Sequence, residues 1–113
     1  MPIEMNELVK QYIAHVDFPE VSGAEHLEML QLRDKILAVE NSLTAADKRA
    51  IATADRRLIE LASEFYAELA RFINFEERRN TQEIPPSRWW WYLDVLAQLP
   101  NELPSKRNVP IAI

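Results

Sequence analysis

Thr44–Arg79 reads TAADKRAIATADRRLIELASEFYAELARFINFEERR and contains neither glycine nor proline. Ile51, Ala54, Leu58, Leu61, Ala62, Phe65, Leu69, Phe72 and Ile73 recur at three- and four-residue steps, which is the period of a helix with one apolar stripe. Thr44 is a suitable N-cap, and Asp47 places an anion in the first turn, where it opposes the helix dipole. Read as one helix, the stretch is a rod of about 36 residues and roughly 54 Å. A chain of this size folds to a globule only about 35 Å across, with a radius of gyration near ~13 Å. Such a rod has to bend, project, or be covered by a second copy of the chain, and we expect the last.

The flanking sequence supplies further helices. Met5, Leu8, Val9, Tyr12, Ile13 and Val16 share a face from about Glu4 to Val16, and Asp17-Phe18-Pro19 ends that helix. Ser22-Gly23-Ala24-Glu25 has the form of a capping box. The helix it opens is expected to reach about Asn41, with Met29, Leu32, Ile36, Val39 and Leu43 as a short heptad seam. Asn80–Pro86 is a linker, and a last helix is expected from about Pro86-Ser87 to Leu99. Pro100, Pro104 and Pro110 then keep the tail irregular. The expected fold is all-α: an elongated antiparallel bundle of about four helices with one long central helix, one domain over residues 1–99 and a Pro-containing tail over 100–113.

The short turn before Thr44 makes the second and third helices antiparallel neighbours. Residues at one level then have numbers summing to about 88 in this hairpin geometry. Glu40 meets Lys48, Arg33 meets Asp55, and His26 meets Ala62. An Arg33–Asp55 ion pair is expected, fixing register more than adding stability, because desolvation offsets the attraction.

Composition narrows the functional classes. The single glycine and the abundance of Ala, Leu, Glu and Arg fit helices. No cysteine is present, which removes disulfides, thiol catalysis and Cys-ligated zinc. No apolar run approaches the ~20 residues that span a membrane, and the acidic N-terminus lacks a secretion-signal layout. We therefore expect a cytoplasmic protein without membrane attachment. The net charge of −5 is concentrated in residues 1–43, which carry eight acidic and three basic side chains; residues 44–113 carry ten of each. Nucleic acid is thus not the expected partner, because an acidic half repels phosphates. The Arg-rich C-terminal half keeps a nucleic-acid-associated regulator as the alternative.

The most unusual string is Arg88-Trp89-Trp90-Trp91-Tyr92. On a helical wheel Trp89 joins Leu93, Leu96 and Leu99 on the core side. Trp91 falls between Arg88 and Gln98 on the polar side, and Trp90 lies at the boundary. All three rings can pack internally, with their N–H groups finding partners, or Trp90 and Trp91 can anchor a protein partner beside Arg88. Stacking on a base or ring ligand is a third use. Phe75 lies off the stripe of its helix and close in sequence to this string. The expected contact patch is Arg88, Trp90, Trp91 and Phe75.

Other constellations are weaker. Glu60, Glu64 and Glu68 form an acidic ladder that reads as a solvated face flanked by Arg56, Arg57 and Arg71. No Glu-x-x-His occurs, and His15 and His26 are not spaced as a zinc pair. No phosphate loop, nucleophile elbow or nucleophile–histidine pairing is present. We expect no enzyme, no cofactor and no metal; a small-molecule or metal binder in the bundle core is the third reading. The main expectation is a non-catalytic protein–protein interaction module, homodimeric through the long helix. The tail Asn108–Ile113, apolar at its very end, would dock on its own bundle by default or insert into a neighbour.

Overall fold

The computed structural model describes residues 5–99. They form six α-helices and two 3-10 turns, with no strand among the described residues. The helices are α1 (Glu7–Val16), α2 (Gly23–Ala38), α3 (Ala45–Glu60), α4 (Ala62–Leu69), α5 (Phe75–Gln82) and α6 (Leu93–Leu96). The 3-10 turns are Glu40–Ser42 and Trp89–Tyr92. The all-α class is as expected, whereas the long central helix is not. The tail from Pro100 onward, and the expected helix start at Glu4, lie outside the described residues.

Caps set several boundaries. Asn6 accepts from Leu8 N–H at 2.8 Å, Ser22 Oγ from Glu25 N–H at 3.4 Å, and Thr44 Oγ1 from Asp47 N–H at 3.0 Å. Each satisfies a donor the helix itself leaves unpaired. Glu25 does not return a bond to Ser22 N–H among the described residues, so the capping box is only half formed.

The stretch Thr44–Arg79 divides into α3, α4 and α5, and this corrects the single-rod expectation. Leu61 leaves the helical region, with φ −103° and ψ 20°. Its carbonyl accepts from Glu64 N–H at 3.0 Å as well as from Phe65 N–H at 3.1 Å, a tightening of 3-10 type. No proline or glycine causes it; packing does. α3 lies against α1, while α4 lies against α2 and α6. A straight rod would aim Ile51, Ala54 and Leu58 in the same direction as Ala62, Phe65 and Leu69. The bend lets each group, all buried, face its own neighbours. A second break follows at Ala70–Asn74. There Asn74 Oδ1 accepts from Glu77 N–H at 2.9 Å and starts α5 in a new direction. Glu83 then ends α5 in the left-handed region at φ 53°, a position more often held by glycine.

α1 packs against both α2 and α3, so it stands where the simple two-helix hairpin would have closed. The core joins Val9, Tyr12 and Val16 of α1 to Met29, Leu30 and Ile36 of α2 and to the stripes of α3 and α4. At the other end α2 meets α4 closely. A Cβ on Gly23 would collide with the Glu68 carbonyl oxygen and lie 2.5 Å from the Phe72 ring. The only glycine of the chain thus permits a helix-to-helix approach.

The expected last helix from Pro86 to Leu99 is replaced by the 3-10 turn Trp89–Tyr92 and the single turn α6. Burying an indole of 150–250 Å² contributes roughly 4–6 kcal/mol. Helix propensity differences are only ~0.5 kcal/mol per residue. The conformation that buries two neighbouring indoles therefore prevails over the regular helix.

Candidate functional site

The Trp-Trp-Trp-Tyr turn is the centre of the most concentrated polar chemistry among the described residues. It starts where Arg88 N–H donates to the Pro85 carbonyl at 3.0 Å and Trp91 N–H to the Arg88 carbonyl at 3.1 Å. A 3-10 turn advances about 120° per residue, not 100°. Trp90 and Trp91 both point inward and are 1% exposed, while Trp89 is half-buried against the edge of Trp90.

Burying two indoles leaves two N–H donors to satisfy. Asp34 of α2 does so. Its Oδ1 accepts from Trp90 Nε1 at 2.8 Å and from Trp91 Nε1 at 3.0 Å, and Oδ2 lies 3.1 Å from the latter. Arg88 closes the same carboxylate from the solvent side, with Nε at 3.2 Å and a terminal nitrogen at 2.8 Å. One carboxylate thereby ties residues at both ends of the turn to a helix more than fifty positions earlier.

Two further Arg–Asp pairs bracket the same turn. Arg33, next to Asp34 on α2, forms the expected pair with Asp55 of α3: Nε to Oδ1 at 3.0 Å and a terminal nitrogen to Oδ2 at 2.9 Å. Its guanidinium lies 4.3 Å from the Trp90 ring centre. Tyr12 of α1 donates its hydroxyl to Asp55 Oδ1 at 2.6 Å. Burial first, then the Asp55 charge and hydrogen bond, push the Tyr12 phenol far above its usual range, so it stays a donor. Burial pulls the Arg33 guanidinium down, but the bond and charge of Asp55 outweigh it, and the cation is held more firmly than usual. On the far side Arg79 of α5 holds Asp94 through two bonds of 2.7 and 3.1 Å and donates to the Trp91 carbonyl at 3.0 Å. The Asp94 hydrogen bond raises its pKa. Arg79 also stacks over Tyr92 at 4.4 Å, Arg78 lies over Trp91 at 5.3 Å, and Tyr92 donates to the Ile84 carbonyl at 2.7 Å.

The residues expected as an exposed patch are therefore brought together, but inward. Trp90 and Trp91 face Asp34, Arg88 seals the carboxylate, and Phe75, 3% exposed, packs on Tyr66 with ring centres 5.7 Å apart. The expectation of exposure failed because the wheel set the core side from Leu93, Leu96 and Leu99 through one continuous helix, which the chain does not form, and ignored the acceptor two buried indoles require. Phe75 does border the same region. It lines a cleft of about 530 Å³ with Tyr66, Phe72, Ile73, Arg71 and Asp94. Of the other level pairs, Glu40 lies in a 3-10 turn past the end of α2 and forms no ion pair with Lys48 among the described residues. His26 meets Phe65 edge-on at 4.6 Å.

Sequence reasoning missed Asp34, Asp94 and Tyr12. The available signal was chemical: a chain that buries tryptophans must supply acceptors, and Asp34 sits beside the already suspected Arg33.

The arrangement consumes its own polar groups, and its chemistry is to hold a shape. Among the described residues no cluster of three or more potential metal ligands occurs, and no helix is long and apolar enough to cross a membrane. Comparison with protein-family profiles, curated proteins and solved structures found no match.

Proposed function

We propose that this chain is a small, non-catalytic protein-interaction module that assembles as a homodimer. The observation carrying the proposal is the direction of its polar side chains. Arg33, Arg79 and Arg88 are committed to Asp55, Asp94 and Asp34, each in a close, largely buried pair. Those three cations are not free for phosphates, which takes part of the Arg-rich half away from the nucleic-acid alternative while Arg49 and Arg56 stay exposed. What the surface offers instead is apolar shape on a rigid frame. Phe18 and Phe72 are 54% and 56% exposed, and an apolar groove of about 300 Å³ runs between α1 and α3. An exposed aromatic side chain next to a concave apolar surface, as Phe18 is to this groove, is a feature of docking sites.

The experiment is sedimentation equilibrium of the full chain across micromolar concentrations. A species of twice the 13.2 kDa chain mass is expected, in mass-action equilibrium with the single chain. A single chain at every concentration overturns self-association. Tight duplex DNA or RNA binding that collapses with added salt would favour the alternative.

A further inference from the structure

Resting on that self-association reading, we propose that the dimer forms by exchange of Phe18: the ring of each copy enters the α1–α3 groove of the other. The hole is built from Ile13 and Val16 of α1, from Asp17 just after it, and from Ala50, Thr53, Ala54 and Arg57 of α3. Its walls are mainly apolar. Two alanines on α3 leave the depth that a larger side chain would fill.

Charge selects the occupant. On the surface of α3, residues three and four positions from Thr53 are Arg49, Ala50, Arg56 and Arg57. Arg49 and Arg56 are exposed and form no ion pair among the described residues. The chain as a whole is acidic, yet on this side of α3 three arginines, Arg49, Arg56 and Arg57, outnumber the nearby carboxylates Asp17 and Glu60. The complementary occupant is an apolar side chain flanked by carboxylates, and the chain carries one. Phe18 is exposed between the α1–α2 loop residues Asp17 and Glu20, themselves exposed. Asp17 already reaches Arg57 of its own chain at 3.7 Å through two half-exposed side chains, a contact weak enough to rearrange.

Position decides between a second copy and an unrelated acidic segment. Val16 and Asp17 line the hole, and Phe18 is the next residue. Knob and hole lie side by side at the end of α1. A two-fold axis beside that end places each knob over the partner's hole, and the contact closes on itself without leaving an open surface. An aromatic ring entering an apolar pocket with a charged rim has the anatomy of an interface hot spot.

The test uses two exposed positions whose replacement leaves the core untouched. Phe18→Ser removes both knobs, and Thr53→Phe fills both holes. Each variant is expected to weaken the dimer by at least about tenfold while keeping its helical circular dichroism. Mixed together, they retain one intact knob and one open hole. Native mass spectrometry should then show the heterodimer in excess of either homodimer. Arg49→Glu combined with Arg56→Glu should weaken the dimer without altering the groove. A Phe18→Ser protein that dimerises as tightly as the natural chain overturns the exchange but leaves self-association standing. Loss in both single variants without recovery in the mixture also overturns it. A natural chain that stays single at all concentrations removes both proposals together.

Discussion

Asp34 is the side chain that ties the Trp-containing turn to α2. Its carboxylate accepts from two indoles and a guanidinium. Removing a shared acceptor leaves every donor unsatisfied, whereas removing one donor leaves the others bonded. We expect Asp34→Ala to cost about 3 kcal/mol and Arg88→Ala about 1 kcal/mol, because both indoles keep their acceptor in the second variant. Urea unfolding followed by tryptophan fluorescence measures both. Equal costs would mean that Arg88, not the indole bonds, holds the turn. Gly23 acts by absence. Alanine is the better helix former by ~1 kcal/mol, but its methyl would strike the Glu68 carbonyl, a backbone atom that cannot swing aside. Gly23→Ala should therefore destabilise by about 1–3 kcal/mol, against its propensity. Thermal unfolding decides the sign.

At the level of helices, Arg33 of α2, Asp55 of α3 and Tyr12 of α1 form one polar contact between three elements. Breaking a buried pair on one side is costly, whereas replacing all partners by apolar groups of similar size is often neutral. Asp55→Ala should cost about 3 kcal/mol. The triple variant Tyr12→Phe, Arg33→Met, Asp55→Leu should cost clearly less, about 1 kcal/mol or under. If the contact fixes register, that triple variant will fold yet show broadened or doubled amide resonances. Sharp single resonances would assign it no register role. The bend at Leu61 belongs to this scale too. It serves two sets of neighbours, so stiffening its helix by substitution at Leu61 would not straighten it.

For the molecule as a whole, His26 links stability to pH. It lies on the face of α2 toward α4, fully buried, donates from Nε2 to the Pro19 carbonyl at 3.0 Å, and has no partner at Nδ1 among the described residues. Burial lowers its pKa below the ordinary 6.5, with His15 adding to the lowering and Pro19, Glu68 and Glu25 opposing it. The unfolded chain therefore takes up a proton that the folded chain refuses. This contribution to stability is complete above pH 6.5 and is lost as pH falls toward the lower folded value. Denaturant unfolding from neutral to mildly acidic pH should show the loss, and His26→Gln should flatten it. An unchanged slope in that variant would place the effect on other groups.

Periodicity and caps were sufficient for the helical class, for the starts at Ser22 and Thr44, and for most of the buried stripe, because these depend on residues within one or two turns. Arg33 opposite Asp55 was legible from spacing alone, although α1 intervenes and the long guanidinium makes the reach. Asn74-Phe75-Glu76-Glu77 carried its own capping signal, which the longer apolar period of Thr44–Arg79 masked. Tertiary structure alone decided the bend at Leu61, the 3-10 form of Trp89–Tyr92 and the inward turn of the indoles. Each depends on partners far away in sequence: α1, α2 and α6 for the bend, and Asp34, more than fifty residues before the tryptophans, for the rings. Local pattern records which residues avoid water, whereas the acceptor that a buried donor finds is fixed only when the helices pack.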